Sequence, residues 1–334
     1  MSRKRNAKRL ANYLLRAAVL LFVIISLNFF LVRAMPGDPV VHILGEEQYF
    51  TLEHQHPELL AAVRADYGLD GSVLRQYGRY VYNVVTLRFG NSYTDGQDVA
   101  SVVFFRLRWT LLLSLVSVVL SAIIGGALGV LAGYYKGRKV DSVLTFFALL
   151  LDTIPANCLA LIALVIFAFK LRWFPVGGMS AGGVTGWAKA LSIMRHMVLP
   201  VTVLSLFRSS TNFLLMKSFA SQVKDEEYIA VAAAKGLPGR KVLFRHLLRN
   251  VMVPYSTMLC MQFGYIISGS MLIEVVFSWK GMGTLIYSAV QTRDYPTVQM
   301  CFLLIAVCVV AFNFLAEIIS MLIDPRIKDG AGHA

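Results

Sequence analysis

Four polar side chains interrupt otherwise apolar runs of this sequence: Asp152, Asn157, Arg208 and Gln262. A charge or an amide at membrane depth faces a bundle interior or a watery route, because hydrocarbon cannot solvate it. The chemistry open to this quartet is therefore conduction of a solute or coupling to an ion. The same residues also fit a plainer role, as an Asp152 to Arg208 pair that fixes helix packing, or as an Arg208 close enough to a span end to snorkel. Bond-making chemistry finds no home. The chain has no GxxxxGK[ST] phosphate loop, no HExxH, and no pair of aspartates at a common depth in the spans. Cys158, Cys260, Cys301 and Cys308 lie inside apolar runs without CxxC spacing and read as small core hydrophobes. His54 and His56 stand two apart in a polar stretch with no third ligand nearby, so a solvated pair is expected there and no metal site. The expectation is a non-catalytic chain that binds no cofactor of its own.

A second constellation lies between Lys224 and Pro254, the most polar stretch in the second half of the chain. Asp225, Glu226 and Glu227 lead into Ala230, Ala232, Ala233 and Ala234, which makes a helix with negative charge at its positive end. Gly236 can take the left-handed conformation that stops a helix, and Pro238 suits the first turn of the next. That next helix carries Lys241, Arg245, His246 and Arg249 before Pro254 opens an apolar span. A small-residue helix followed by a tight elbow suits insertion into a groove on a partner. A solvated connector between two membrane helices has the same composition.

These residues need a frame. The chain is 57% hydrophobic over 334 residues with net charge +13, and its mean hydropathy of +0.64 is too high for a soluble domain of this length. The basic residues fall in short clusters beside apolar runs, where they set orientation in a bilayer, and no nucleic-acid motif accompanies them. Leu14 to Val32 reads as a retained first span behind the cluster Arg3, Lys4, Arg5, Lys8, Arg9 and Arg16. Trp109 to Tyr135 carries no charge and must span, with Gly125, Gly126, Gly129 and Gly133 giving a face for close helix packing. A third span from Val140 to Phe169 holds Pro155 and should kink there. Lys170 to His196 is expected to be an outer loop. Met197 to Met216, Val251 to Ile273 and Met300 to Ile323 complete the set, and Glu274 to Gln299 is an interfacial or re-entrant outer segment.

The predicted fold is all-α, a polytopic bundle of six transmembrane spans in the lipid bilayer with both termini cytoplasmic. Its divisions are 1–34 (N-terminus and first span), 35–108 (outer segment) and 109–323 (a five-span core), then 324–334 (cytoplasmic tail). Within the core, 217–250 forms a cytoplasmic loop. The outer segment should carry two surface helices, Pro57 to Tyr67 closed by Gly68, and Gln76 to Leu87.

The stretch Glu227-Tyr228-Ile229, Ala232, Ala234-Lys235-Gly236, Val242, Arg245-His246, Arg249-Asn250 and Pro254 resembles the cytoplasmic coupling loop of ABC importer permeases of the dipeptide, oligopeptide and nickel class. The likeness runs along nearly the whole chain. It includes Pro36-Gly37-Asp38-Pro39, Gly68-Leu69-Asp70, Gln76-Tyr77, Gly90-Asn91-Ser92 and His196 with Pro200. It continues through Phe277-Ser278-Trp279, Gly281-Met282-Gly283, Arg293-Asp294-Tyr295-Pro296, Asn313 and Asp324-Pro325-Arg326. The chain departs from the general importer loop at Ala230, where a glutamate is usual, and carries its acid at Glu227 as the peptide subfamily does. Lys280 replaces a usual proline and Glu317 a usual aspartate.

The resemblance implies a permease subunit paired with a second, similar permease. Two cytoplasmic ATPase subunits that bind ATP and Mg would lie below, and a substrate-binding protein outside. It gives the ATPase-coupling role to Glu227, Tyr228, Ala232, Ala234, Lys235, Gly236, Arg245, His246, Arg249 and Asn250. Short peptides are the expected cargo, with nickel or another metal chelate as the alternative. The competing reading from a different class is an ion-coupled secondary transporter that works through Asp152 and Arg208.

Overall fold

The computed structural model describes residues 2–34, 37–264 and 270–323. Among these the chain is helical throughout; an isolated bridge between Asn91 and Asp98 is the one β feature. The long helices are α1 (Ser2–Arg33), α6 (Val99–Tyr134), α9 (Gly186–Lys224) and α15 (Tyr295–Ile323). Each is long and apolar enough to cross a membrane, α1 through its Leu15–Arg33 portion and α15 through Tyr295–Leu315. Helix α7 (Lys139–Thr153) and the run Ala156–Lys170, which is α8 (Ala156–Ala163) followed by a π-helical turn (Leu164–Lys170), pass the same test together. They meet at a bend of 96°. Pro155 lies at the break, where it lacks an N–H and forces its neighbour out of the helical region. The expected kink is thus a full corner. Counting that pair as one span gives five candidate spans among the described residues. The fifth expected span, Val251 to Ile273, begins within α12 (Leu248–Gly264), and its continuation toward Ile273 passes through residues 265–269, outside the described ones. The expected cytoplasmic tail, with Asp324-Pro325-Arg326, also lies outside them.

Helix α9 departs most from the expectation. It begins at Gly186, so the second half of the expected outer loop is helical, and it runs on through Lys217 to Lys224. At 1.5 Å per residue its 39 residues reach about 58 Å, well beyond a hydrocarbon core of about 30 Å. Buried Pro200 sits inside it, leaving the carbonyl of His196 without its helical donor.

The chain divides into two units, Met1–Arg108 with Thr284–Val310, and Trp109–Gly283 with Ala311–Ala334. In the first, α2 (Pro39–Leu44), α3 (Glu46–Gln55), α4 (Pro57–Asp66) and α5 (Val73–Val85) follow α1. The Asp38 carboxylate caps α2 by accepting from the Val40 N–H and pairs with Arg64. The Gln76 side chain donates to the carbonyls of Leu69, Asp70 and Gly71, and Arg79 donates to Asp70 at 2.9 Å. That hydrogen bond holds the Asp70 carboxyl below the usual carboxylate range. Asp294 accepts from the hydroxyls of Ser92 and Thr297 and from the Tyr93 N–H. The short motifs of the outer segment are therefore its hydrogen-bonding joints.

In the second unit α6 and α9 pack backbone against backbone. A Cβ on Gly125 would stand 2.5 Å from the Ser209 carbonyl oxygen, one on Gly129 2.6 Å from that of Phe213, and one on Gly133 2.5 Å from the Ala220 methyl. Three of the four glycines read from the sequence as a packing face make this contact, and Gly126 meets the Tyr255 ring of α12 instead. Asp141 of α7 and Lys217 of α9 form an ion pair at 2.6 Å that is mostly shielded from solvent, and Lys217 also donates to Thr145. Lys217 is thus a packing residue of the bundle, where the sequence reading placed it at the start of a solvated stretch.

Candidate functional site

The polar stretch folds as its composition predicts, with one exception. Helix α10 (Glu227–Ala234) carries its acid in the first turn, and Gly236 adopts φ +75° with open space around its Cα. Pro238, extended at φ −62° and ψ 140°, opens the short α11 (Gly239–Lys241). A π-helical turn, Val242–Leu247, joins this to α12. It carries Arg245 and His246. One π turn inside a longer helix shifts the register of the faces that follow it.

The exception is burial. Ile229 from α10, with Val242, Leu243 and Leu247 from the elbow, lies in one core with Val130, Met216, Ala220, Val251 and Tyr255, and Ala232 of α10 is buried as well. The spans bury a whole face of the stretch, so it is not a loop lying free of the bundle, and Ala232 faces inward. Glu227, Tyr228, Ala234, Lys235, Gly236, Arg245, Arg249 and Asn250 are exposed, while His246 is half-buried. Three apolar side chains share that exposed surface: Tyr228 at 42%, Val231 at 52% and Phe244 at 64% of full exposure. Asn250 donates from Nδ2 to the Tyr228 hydroxyl at 2.9 Å and to the His246 carbonyl at 2.8 Å, tying α10 to α12. Partial burial raises the Tyr228 phenol above its ordinary value, against the Asn250 hydrogen bond. Beside it, Lys136 Nζ donates to Asp225 at 2.9 Å in the open.

From the buried face a polar line leads inward. The Tyr255 hydroxyl donates to the Ala122 carbonyl at 2.9 Å. Gln262 donates to Asn212 at 2.7 Å, and Asn212 donates to Ser121 at 3.1 Å, so α12, α9 and α6 are stitched through fully buried Asn212. Of the four residues singled out in the spans, Gln262 belongs to this line. Asp152 accepts from Ser210 at 3.0 Å, and among the described residues no ion pair joins it to Arg208. The packing pair considered from the sequence does not form. Among the described residues no hydrogen bond or ion pair joins any two of Asp152, Asn157, Arg208 and Gln262 directly, although Asp152 and Gln262 bond to Ser210 and Asn212 on α9. Sequence reasoning missed the buried polar face itself: Thr110, Ser114, Ser117 and Ser121 on α6, with Ser205, Ser209 and Asn212 on α9. Its signal was present as hydroxyls three or four residues apart, a helical period.

A second missed residue is Glu274. It opens the segment read as interfacial, yet it is fully buried in α13 (Met271–Val276). Its carboxylate accepts from Thr110 at 2.6 Å, from Ser270 at 3.2 Å and from the Gly283 N–H at 2.7 Å. Thr110 Oγ1 in turn accepts from the Met282 N–H at 2.7 Å. A side chain on Gly281 would meet the Glu274 carboxylate, and a Cβ on Gly283 would stand 2.5 Å from the Met271 Cα. The Gly-Met-Gly motif that starts α14 (Met282–Gln291) thus wraps a buried acid. Trp279, also fully buried, closes the same turn and stacks edgewise on Trp109.

Comparison with known proteins bears on this arrangement. Residues 125–329 match the family model described as binding-protein-dependent transport system inner membrane component, and residues 7–114 match that of the N-terminal part of such membrane components. A Brucella abortus protein provisionally named a peptide transport system permease is 31% identical over 94% of this chain and 96% of its own length. A Sinorhizobium fredii protein provisionally named a peptide ABC transporter permease is 32% identical over 95% of this chain and 99% of its own. The glutathione transport system permease protein GsiC of Escherichia coli is 30% identical over 92% and 94%.

Proposed function

Because the chain belongs to the family of binding-protein-dependent transport system inner membrane components, we propose that it is the inner-membrane permease subunit of an ATP-driven ABC importer of short peptides. Relatives matched over almost their full length carry peptide-permease names, and glutathione, the cargo in the name of a third, is itself a tripeptide. The observation that carries the mechanism is the two-sided coupling stretch. One face is part of the bundle core, and the other presents Tyr228, Val231 and Phe244 beside Glu227, Lys235, Arg245 and Arg249.

In this reading two cytoplasmic ATPases, which bind ATP and Mg, grip the exposed face, a second permease completes the pathway, and a substrate-binding protein delivers the cargo. Displacement of α10 passes through Ile229, Leu243 and Leu247 into α6, α9 and α12 as one packed body. The buried line Gln262, Asn212 and Ser121 then moves with it. The chain itself holds no nucleotide. Its topology is six spans with both ends cytoplasmic, which the basic clusters support.

The test is uptake of a labelled dipeptide into proteoliposomes that hold the full complex, with ATP inside. Uptake should need ATP and the binding protein and should continue when an uncoupler is added at constant ATP. Collapse of uptake with the uncoupler, or transport by this chain alone, would replace the importer with a secondary transporter. Orientation has its own check. A cysteine placed at exposed Leu74 should react with an impermeant reagent from outside, and one at exposed Lys139 should not.

A further inference from the structure

The first unit holds a cavity of about 590 Å³ that the transport reading leaves unused. It lies where two apolar spans end. Arg33, the last residue of α1, and Tyr295, the first of α15, both line it. Helix α5 supplies Gln76, Arg79, Tyr80 and Asn83, and the segment after it supplies Arg88. The level at which an apolar span gives way to polar residues is the headgroup region of a bilayer, where aromatic rings gather.

The charge of the lining is one-sided. Arg33, Arg79 and Arg88 face one acid, Asp66. Arg79 is held by Asp70, and among the described residues neither Arg33 nor Arg88 has an ion-pair partner. Arg33 is the more telling. Its guanidinium lies 5.4 Å from the Phe29 ring centre and 5.3 Å from that of Tyr295, and its Nε is buried with no hydrogen-bond partner. A buried donor without an acceptor is costly and rare; Nε itself has no open surface, so an anion in the cavity would meet the Arg33 guanidinium through its other nitrogens. Burial pushes the Tyr80 phenol up to about 12 and raises that of Tyr93, so neither ring cancels the positive charge.

We infer that this cavity binds the phosphate group of a phospholipid, with Arg33 and Arg88 as its cationic contacts. A guanidinium matches two phosphate oxygens at once, and a lipid also explains the surface that adjoins it. Leu27, Phe30 and Leu31, within two turns before Arg33 on α1, are 61%, 52% and 58% exposed. Acyl chains would cover them. Free phosphate would satisfy the arginines equally, and competition between the two separates them.

Native mass spectrometry of the full chain, released from a phosphate-free detergent after addition of phosphatidylglycerol, reads the site directly. The wild type should retain one lipid per chain, and inorganic phosphate at a thousandfold excess should leave that population unchanged. Arg33→Gln should lower the retained fraction at least tenfold. Asn83→Trp fills the cavity and keeps every charge, so it should do the same while its melting temperature and elution profile stay at wild-type values. It carries the test alone if Arg33→Gln does not fold. Displacement of the lipid by inorganic phosphate would reassign the cavity to the free anion. Equal lipid retention by the wild type and the two variants, or no retention by any of them, would overturn the site.

Discussion

The coupling stretch around Gly236 and the turn around Glu274 both carry motif residues, and they hold them in opposite ways. At Glu274 the buried motif residues are engaged inside the chain: the acid accepts from Thr110, Ser270 and the Gly283 N–H, and Gly281 and Gly283 leave room for it. Along the coupling stretch Glu227, Lys235, Arg245 and Arg249 are exposed, and among the described residues none of them has an ion pair within the chain. Packing explains the buried part of the first motif. It leaves the exposed half of the second to something outside the chain.

The comparison breaks most readily at its buried side. Glu274→Ala removes one carboxylate and strands the Thr110 hydroxyl and the Gly283 N–H, at about 1–3 kcal/mol for each buried group left unpaired. The protein should lose its sharp elution in detergent and melt far below the wild type, with Glu274→Gln in between because the amide keeps one acceptor. A wild-type melting temperature for Glu274→Ala would show that the turn is not held by its acid. Next in size is Gly129→Val in the contact of α6 with α9. A side chain there must displace the Phe213 backbone, and overpacking of that kind costs about 1–3 kcal/mol. Gly129→Ala should lower the melting temperature less than valine does.

Gly236→Val tests the other side. Nothing crowds the position, so its penalty is confined to the left-handed backbone and amounts to about 1–2 kcal/mol. Melting should shift by a few degrees at most, yet co-purification of the ATPases and ATP-dependent uptake should both fall. Glu227→Lys should reduce the same two readouts by reversing charge at the start of α10 and leave the fold intact. If both variants assemble and transport as the wild type does, the exposed face is a mere connector.

How much of this was legible beforehand follows from the kind of signal involved. Gly125, Gly129 and Gly133 recur every four residues, a period with one helical meaning, and the face they predict is the face observed. Gly236 was legible because only its backbone freedom ends α10 so tightly. The inward turn of Ala232 was not, because alanine suits a partner's groove and a core equally well. The Asp141 to Lys217 pair and the Thr110 bond to Glu274 join residues far apart in sequence, and no local pattern encodes a partner at that distance. Pro155 announced a break; its angle depends on what re-satisfies the freed carbonyls, which is a tertiary matter. The helical start of α9 was masked by Gly182, Gly183 and Gly186, which read as loop although the third begins the helix.

The smallest expected effect separates the two faces of one residue. Tyr228 offers a half-exposed ring to the surroundings and a hydroxyl to Asn250. Tyr228→Phe keeps the ring and deletes a hydrogen bond with a net worth of about 0.5–1.5 kcal/mol, toward the lower end because water reaches the site. Asn250 keeps its bond to the His246 carbonyl, so it is not stranded. The melting temperature should move by a degree or two, and uptake should stay near the wild-type rate. Tyr228→Ala removes the ring as well. If that ring is part of the ATPase contact, alanine should weaken ATPase co-purification several-fold while melting much as phenylalanine does. If phenylalanine already weakens co-purification as far as alanine, the tie between α10 and α12 is what the ATPase needs, and the exposed ring is incidental. Wild-type retention of the ATPase by both variants would move the docking surface away from Tyr228, toward Val231 and Phe244.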